Sequence, residues 1–511
     1  MKAYRIPYKK TNLSSRLIID YINQEEKLQP FINHFPDLDV FQKQIEQQSK
    51  NNINRELLSS VLEKQNSVVS VSEQSEINIQ LIKENNTFTV TTGHQLSLFT
   101  GPLYFFYKII SAINLAEKLK EKYPVNNFVP IFWMATEDHD FQEINHINLF
   151  GKKIEWNSRQ EGPVGRMNLN NIKEVIDELK NIMGESKHAE QLVDIFHNAY
   201  LKHKNLSDAT RYLINYLFGD YGIVVIDGDD KELKREFIPY IKKDILENAF
   251  FKKIEQSSIN LTKMMYTPQA FFREINFFKL LDDHRVLITE AISEEEIDAY
   301  PERFSPNVLL RPLYQESILP NLAYVGGSAE IGYWLQLKSI FDYSNIPFPI
   351  LILRNSILII SDKQKKKLDS FNFNLLDLFK DEHVLQKQYI MSKSISDISI
   401  LNEKQAMIRI YSSLLDKAID QGVKNHIKSE LNKQLKILDR LGLKFIRLAK
   451  QKDKSAINQI SKLKKQLFPN NNLQERYDTF IPFYLEHGEN FIKILKQSLN
   501  PLDSNFVVLT N

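Results

Sequence analysis

The chain has 511 residues, 42% hydrophobic and 25% charged, with 66 Lys and Arg against 64 Asp and Glu for a formal net charge of +2. That length exceeds one compact core and points to two or three domains of an ordinary globular protein. There are no cysteines, which excludes disulfides, Cys-ligated zinc, iron–sulfur clusters and a thiol nucleophile.

The opening residues MKAYRIPYKKTNLSSRL are polar and interrupted by proline, unlike a signal peptide. No apolar run approaches the ~18 residues a membrane span needs. A cytoplasmic protein without a membrane partner is expected. Residues 1–86 read as mostly helical, with apolar positions at Leu57, Leu58, Val61 and Leu62 and no catalytic pattern.

The stretch from Phe88 to Asp140 organises the rest. A β-branched run to Thr92 leads through Gly93, His94, Gln95 and Gly101-Pro102 into a helix spaced on Leu103, Tyr107, Ile110, Ile113 and Leu119. A second buried run, Val129 to Met134, follows and ends at Glu137-Asp138-His139-Asp140. This is a strand–helix–strand unit of a parallel sheet, and in such sheets ligands bind outside the carboxyl ends of the strands.

After Asp140, turns at Gly151, Gly162-Pro163 and Gly165 predict short antiparallel strands, and helical spacing returns over 172–183 and 192–218. A third buried strand, Gly222 to Asp227, precedes Gly228-Asp229-Asp230 and a helix from Lys231. Strand-like pieces at 270–281 and 285–291 follow, then Ser293 as the N-cap of an acidic helix start. The sheet resumes at Leu322–Val325, where Gly326-Gly327-Ser328 opens a predicted helix over 330–341, and another strand, Phe348–Leu353, ends at Arg354-Asn355-Ser356. Free N–H groups at such a strand–Gly-Gly–helix junction suit an anion.

From about Glu403 to Leu467 the spacing alternates between three and four, as in a coiled coil, with Gly422 as a possible break. The span from Lys363 to Lys465 carries 23 Lys and Arg against 11 Asp and Glu. It reads first as a solvated lysine-rich face and second as a nucleotide or nucleic-acid contact. Met391-Ser392-Lys393-Ser394 matches the end of the KMSKS loop of class I synthetases, without its leading lysine.

Five polar residues directly after a buried strand imply a polar cavity. Glu137, Asp138, His139 and Asp140 could supply a general base, hold an ammonium or ligate a metal with His146 as an extra donor. If the strand continued, Asp138 and Asp140 would share one face and Glu137 and His139 the other.

The segments TTGHQLSLFTGP, FWMATEDHDFQEINH, RPLYQESILPNLAYVGGSAEIGYWLQLK, IPFPILILRNS and LFPNNNLQER resemble, in the same order and over nearly the whole chain, the bacillithiol biosynthesis cysteine-adding enzyme family, the cysteine ligases. The resemblance implies an α/β fold: a Rossmann-type parallel-sheet core related to class I aminoacyl-tRNA synthetases, two connecting-peptide insertions, and a C-terminal coiled coil through which subunits form a homodimer. It divides the chain into a helical cap (1–86), a core (87–380) with insertions at about 143–218 and 245–310, a coiled coil (381–467) and a C-terminal segment (468–511) packing back on the core.

The reaction implied joins cysteine to the amine of glucosaminyl malate as the last step of bacillithiol synthesis, with ATP activating the cysteinyl carboxylate. The candidate catalytic residues are then Gln95, Asp138, His139 and Asp140, with Asp138 or Asp140 holding an ammonium or taking the amine's proton. The candidate nucleotide- and substrate-binding residues are Thr92, Gly93, His94, Glu137, Arg311, Tyr324, Gly326, Gly327, Glu330, Lys338, Arg354 and Asn355. Among them the backbone around Thr92-Gly93 and Gly326-Gly327 is assigned to phosphate or carboxylate groups, and Arg311, Lys338 and Arg354 to malate carboxylates. No metal is predicted. Members of the family commonly carry glutamine where His94 stands, which moves the expected role toward the loop backbone and Gln95. Two readings from other classes remain at this stage, a nucleotide-binding coiled-coil scaffold and an RNA-interacting synthetase relative, although nucleic acid is not the expected partner.

Overall fold

A computed structural model describes residues 1–281, 284–393 and 399–510. In chain order the strands are β1 (Lys2–Pro7), β2 (Thr87–His94), β3 (Asn127–Met134), β4 (His146–Leu149), β5 (Lys152–Glu155), β6 (Val224–Asp227), β7 (Phe277–Leu281), β8 (His284–Leu287), β9 (Phe304–Pro306), β10 (Asn321–Gly326), β11 (Ile350–Leu353), β12 (Ile357–Ile360) and β13 (Asn505–Thr510).

The central sheet has the order β11-β10-β2-β3-β6, every neighbouring pair parallel. β2 and β3 are buried almost throughout, as expected where both faces of a parallel sheet are covered. On one face lie the helix Tyr104–Lys122, the 143–218 insertion and the C-terminal residues Phe480, Tyr484 and Phe491. On the other lie the N-terminal helices and the helices Lys231–Ile245 and Arg311–Ile318. All five strands run the same way, so their carboxyl tips line one crevice.

Several expectations change. The predicted helical cap over 1–86 misses β1, which pairs antiparallel with β13 at the far end of the chain. β13 also pairs parallel with β12, giving a second sheet that holds both termini. The predicted 330–341 helix is two, Ser328–Trp334 and Lys338–Ser344, separated by a turn. The strand expected over 270–281 is confined to β7, and that over 285–291 to β8.

The helical region resolves into Glu382–Lys393, Leu401–Lys417, Gln421–Lys452 and Lys454–Leu467. The break falls just before Gly422, at Ala418–Asp420, with Asp420 capping the next helix. The Leu401–Lys417 helix buries no residue and Gln421–Lys452 only Gly442, whereas Lys454–Leu467 packs on the second sheet through Ile460, Leu463 and Leu467. Of the KMSKS-like run, Ser394 lies outside the described residues. Met391–Lys393 end a helix, with Lys393 paired to Asp453 at 3.1 Å rather than presented in a loop. Among the described residues no helix is long and apolar enough to cross a membrane.

Candidate active site

The loop after β2 is held in an unusual backbone conformation. Phe99, Thr100 and Gly101 have φ of 48°, 72° and 64°, and a Cβ on Gly101 would stand 2.5 Å from that of Ser97. Glycine is therefore required where the loop turns into the Tyr104–Lys122 helix. That helix, apolar on all sides near its start, carries one buried cation, Lys108.

Lys108 Nζ donates to both carboxylate oxygens of Glu330 (3.0 and 2.8 Å) and to the carbonyl of Gly93. Glu330 also accepts from the Tyr324 hydroxyl (2.5 Å) and the Gly327 N–H (2.8 Å). Burial by itself raises the Glu330 carboxyl, but Lys108 and these donors outweigh it and hold it at about 2. The tips of β2 and β10 are thus clamped by one ion pair. The Gly327 N–H, assigned from the sequence to a ligand anion, is occupied by this protein carboxylate.

Among the described residues, three donors around the clamp lack acceptors. Burial, reinforced by the Lys108 charge, pushes His94 down to about 3, so its ring is neutral. Its Nδ1 accepts from the Gln95 N–H at 2.7 Å, which puts the proton on Nε2, and Nε2 is buried with no partner. Arg354 donates to Glu475 (2.8 Å) and the Asn355 carbonyl (3.0 Å), leaving Nε unpartnered beside Gly327. Arg311 donates to Gln315 (2.9 Å) and stands against the Tyr333 hydroxyl, its Nη2 making no close hydrogen bond among the described residues, and lies 5.5 Å from the Tyr324 ring centroid. Buried donors without acceptors are rare and costly, and the chemistry of this set suits an anion.

At the tips of β3 and β6 the lining is acidic. Extended geometry stops at Met134, and the Asp138 N–H turns back to the Ala135 carbonyl (3.3 Å). The alternation expected for residues 137–140 therefore does not occur. Glu137 points to the fully buried Lys234 (2.5 Å), while Asp138 accepts from the Gln95 amide (2.6 Å), which also donates to Glu143 (2.8 Å). Gln95 thus joins the two strand tips. Nearby, Asp227 accepts from Thr136, Ser207 and the Asp229 N–H, and Asp229 forms a two-pronged pair with Arg166 at 2.8 Å for each contact.

The other candidates separate. His139 stands at the rim, 3.4 Å from Arg285 and half-exposed. Asp140 is exposed and accepts from the Glu143 N–H as the cap of a short helix. Thr92 is buried with its hydroxyl on the Val325 carbonyl (2.8 Å). Lys338 pairs with Asp342 on its own helix (2.5 Å) and does not join the Arg311–Arg354 group. Asn355 donates to the Asn500 carbonyl (2.9 Å) and so anchors the C-terminal segment. Among the described residues no group of three or more His, Asp or Glu is placed to hold a metal ion.

Sequence reasoning missed Lys108, Glu143, Lys234 and Glu475. Lys108 carried a signal, a cation inside the run Phe105–Ile113 that could be buried only with a partner. Glu475 carried none, since it meets Arg354 across 121 positions.

Comparison with known proteins agrees with this architecture. Residues 1–355 match the family model for the bacillithiol biosynthesis BshC N-terminal Rossmann-like domain, and residues 357–511 that for the BshC C-terminal coiled-coil domain. A protein of Flavobacterium johnsoniae named "Putative cysteine ligase BshC" is 43% identical over 525 residues, covering 99% of both chains. One of the same name from Christiangramia forsetii is 41% identical over 530 residues, covering 99% of this chain and 98% of its own. Among solved structures, tyrosyl-tRNA synthetase from Archaeoglobus fulgidus aligns with 79% of this chain at 11% identity and a TM-score of 0.24, too distant to argue from. The chain belongs to the bacillithiol biosynthesis BshC family.

Proposed function

We propose that this protein is a cysteine ligase that forms an amide between the carboxyl of L-cysteine and the amine of glucosaminyl malate, closing bacillithiol synthesis in the cytoplasm. The observation that carries this reading is the set of unpartnered buried donors, His94 Nε2, Arg311 Nη2 and Arg354 Nε, beside an acid-lined rim. One side of the crevice suits anionic groups and the other an amine.

The reaction makes a C–N bond, breaks a C–O bond of the cysteine carboxyl and releases one proton from the attacking amine. ATP, when bound, supplies the activation of that carboxyl, and the unpartnered donors fit its phosphate oxygens. Neutral His94 donates without adding charge, and Arg354 is fixed by Glu475 so that its free N–H faces Gly327. Preorganised donors of this kind stabilise developing negative charge without reorganising. Asp138, partly exposed and oriented by Gln95, holds the acceptor ammonium and takes the proton whose loss frees the amine to attack; the second proton leaves to solvent as the amide forms. The absence of cysteine from the chain means the substrate thiol is recognised without a protein-thiolate zinc site.

Mass spectrometry of a reaction containing the protein, L-cysteine, glucosaminyl malate and ATP tests the proposal. An ATP-dependent product with the mass of bacillithiol is expected, with Asp138→Asn slower by about 10²- to 10⁴-fold. No product from folded protein, or an undiminished rate in the variant, would reject the reading or the residue respectively.

A further inference from the structure

The C-terminal segment Gln474–Thr479 packs between β12 and the loop after β2. The Leu103 N–H donates to the Asp478 carbonyl (2.8 Å), and Pro102 pairs with Thr479. Within this segment Glu475 faces inward, fully buried, where it holds Arg354 and the Ile357 N–H (2.9 Å). The next residue, Arg476, faces the opposite way. Its side chain is exposed and makes no hydrogen bond or ion pair among the described residues, only its backbone N–H donating to the Leu473 carbonyl (3.0 Å).

Arg476 lines a cavity of about 270 Å³ together with Gln95, Tyr104, Glu143 and His146. Its volume lies just below the roughly 300–1,000 Å³ of pockets for drug-sized ligands, so it suits a small molecule rather than a sugar bearing malate. On one side stands an unpaired guanidinium, and on another the Glu143 carboxylate, held by the Gln95 amide at 2.8 Å. Tyr104 forms the wall shared with the buried donors, because the Arg354 guanidinium lies 5.1 Å and the His94 ring 5.0 Å from its ring centroid. A carboxylate held in this cavity is one aromatic ring away from those donors.

We infer that this cavity is the amino-acid subsite: Arg476 binds the α-carboxylate of a small zwitterionic amino acid and Glu143 its α-ammonium. The pairing follows from charge and geometry, since a guanidinium matches a carboxylate with two parallel N–H donors. The inference rests on the ligase reading, for which the amino acid is L-cysteine. It also assigns a substrate contact to the part of the chain that matches the coiled-coil family model.

Calorimetric titration of the full chain with L-cysteine, cysteamine and 3-mercaptopropionate, with and without a nonhydrolysable ATP analogue, tests it. The unmodified protein should bind L-cysteine at least tenfold more tightly than either analogue. Arg476→Gln should weaken L-cysteine at least tenfold and leave cysteamine unchanged, with partial recovery in Arg476→Lys. Glu143→Gln should weaken L-cysteine and leave 3-mercaptopropionate unchanged. Circular dichroism and glucosaminyl malate affinity, both unchanged in the variants, separate this from misfolding. If Arg476→Gln weakens the acceptor but not L-cysteine, the subsite is overturned while amide formation by the unmodified protein keeps the ligase reading. If the variants lose amino-acid binding as described but the unmodified protein forms no amide, the subsite stands and the ligase reading falls.

Discussion

His94 and Lys108 show how a single residue's surroundings set its chemistry. Because His94 is neutral with its proton on Nε2, it serves as an uncharged donor, a role a glutamine amide can fill. His94→Gln is therefore expected to keep kcat within about threefold, whereas His94→Leu loses the donor and about 10²-fold in rate. The buried ring also couples to stability. Its folded value of about 3 lies below the ordinary 6.5, so the unfolded chain binds more protons between those limits. Stability is complete above pH 6.5 and falls as pH drops toward 3, by at most about 1.4 kcal/mol per pH unit. Urea denaturation at several pH values should show that part of the slope missing in His94→Gln.

Lys108→Met would leave the Glu330 carboxylate, 24% exposed, without its cation, at a cost below the ~3–5 kcal/mol of a fully buried pair. Adding Glu330→Gln should recover much of that loss; an unaltered midpoint in the single variant would contradict the clamp. At this scale the sequence exposed the polar groups that follow directly on a strand, His94, Gln95, Glu137 and Asp138. It hid those supplied from elsewhere. Lys108 was visible only as a cation in an apolar run, and the occupied Gly327 N–H only once Glu330 is seen to fold back over its own helix start.

Among the elements, the parallel strands were legible because burial on both faces makes each a continuous apolar run ending in polar residues. β1 was not. Its burial alternates weakly and its partner lies about 500 residues away, so neither periodicity nor a hairpin turn announces it. The predicted 330–341 helix merged two because apolar spacing continues through Leu335 and Leu337, which are buried although the backbone turns there.

In the Gln421–Lys452 helix, Ile437, Leu441, Phe445 and Leu448 are 41–56% exposed and recur every three or four residues. We propose that this stripe is covered by a second copy of the chain, as the heptad-like pattern requires. Replacing Leu441 and Leu448 together with Glu should convert a dimer to a monomer in sedimentation velocity. A monomer before any substitution would end the idea.

Across the whole molecule, the site is assembled from distant parts of the chain. The loop after β2, the turn after β3, the start of the Ser328–Trp334 helix and the segment around Glu475 meet at one end of the central sheet. β13, inserted between β1 and β12, ties the C-terminus back so that Glu475 reaches Arg354. The parallel strands of the central sheet and the long amphipathic helices could be read from residue patterns. The closure of the site by residues 474–479 could not, because it depends on a sheet joining the two termini.

The most direct measurement of the central claim uses L-cysteine labelled with ¹⁸O at both carboxyl oxygens, with glucosaminyl malate and ATP. Amide formation at an activated carboxyl predicts a product retaining one label, the other appearing in AMP or phosphate. The lost label appearing in water instead of AMP or phosphate, or no coupled product from folded protein with all three substrates, would contradict the account.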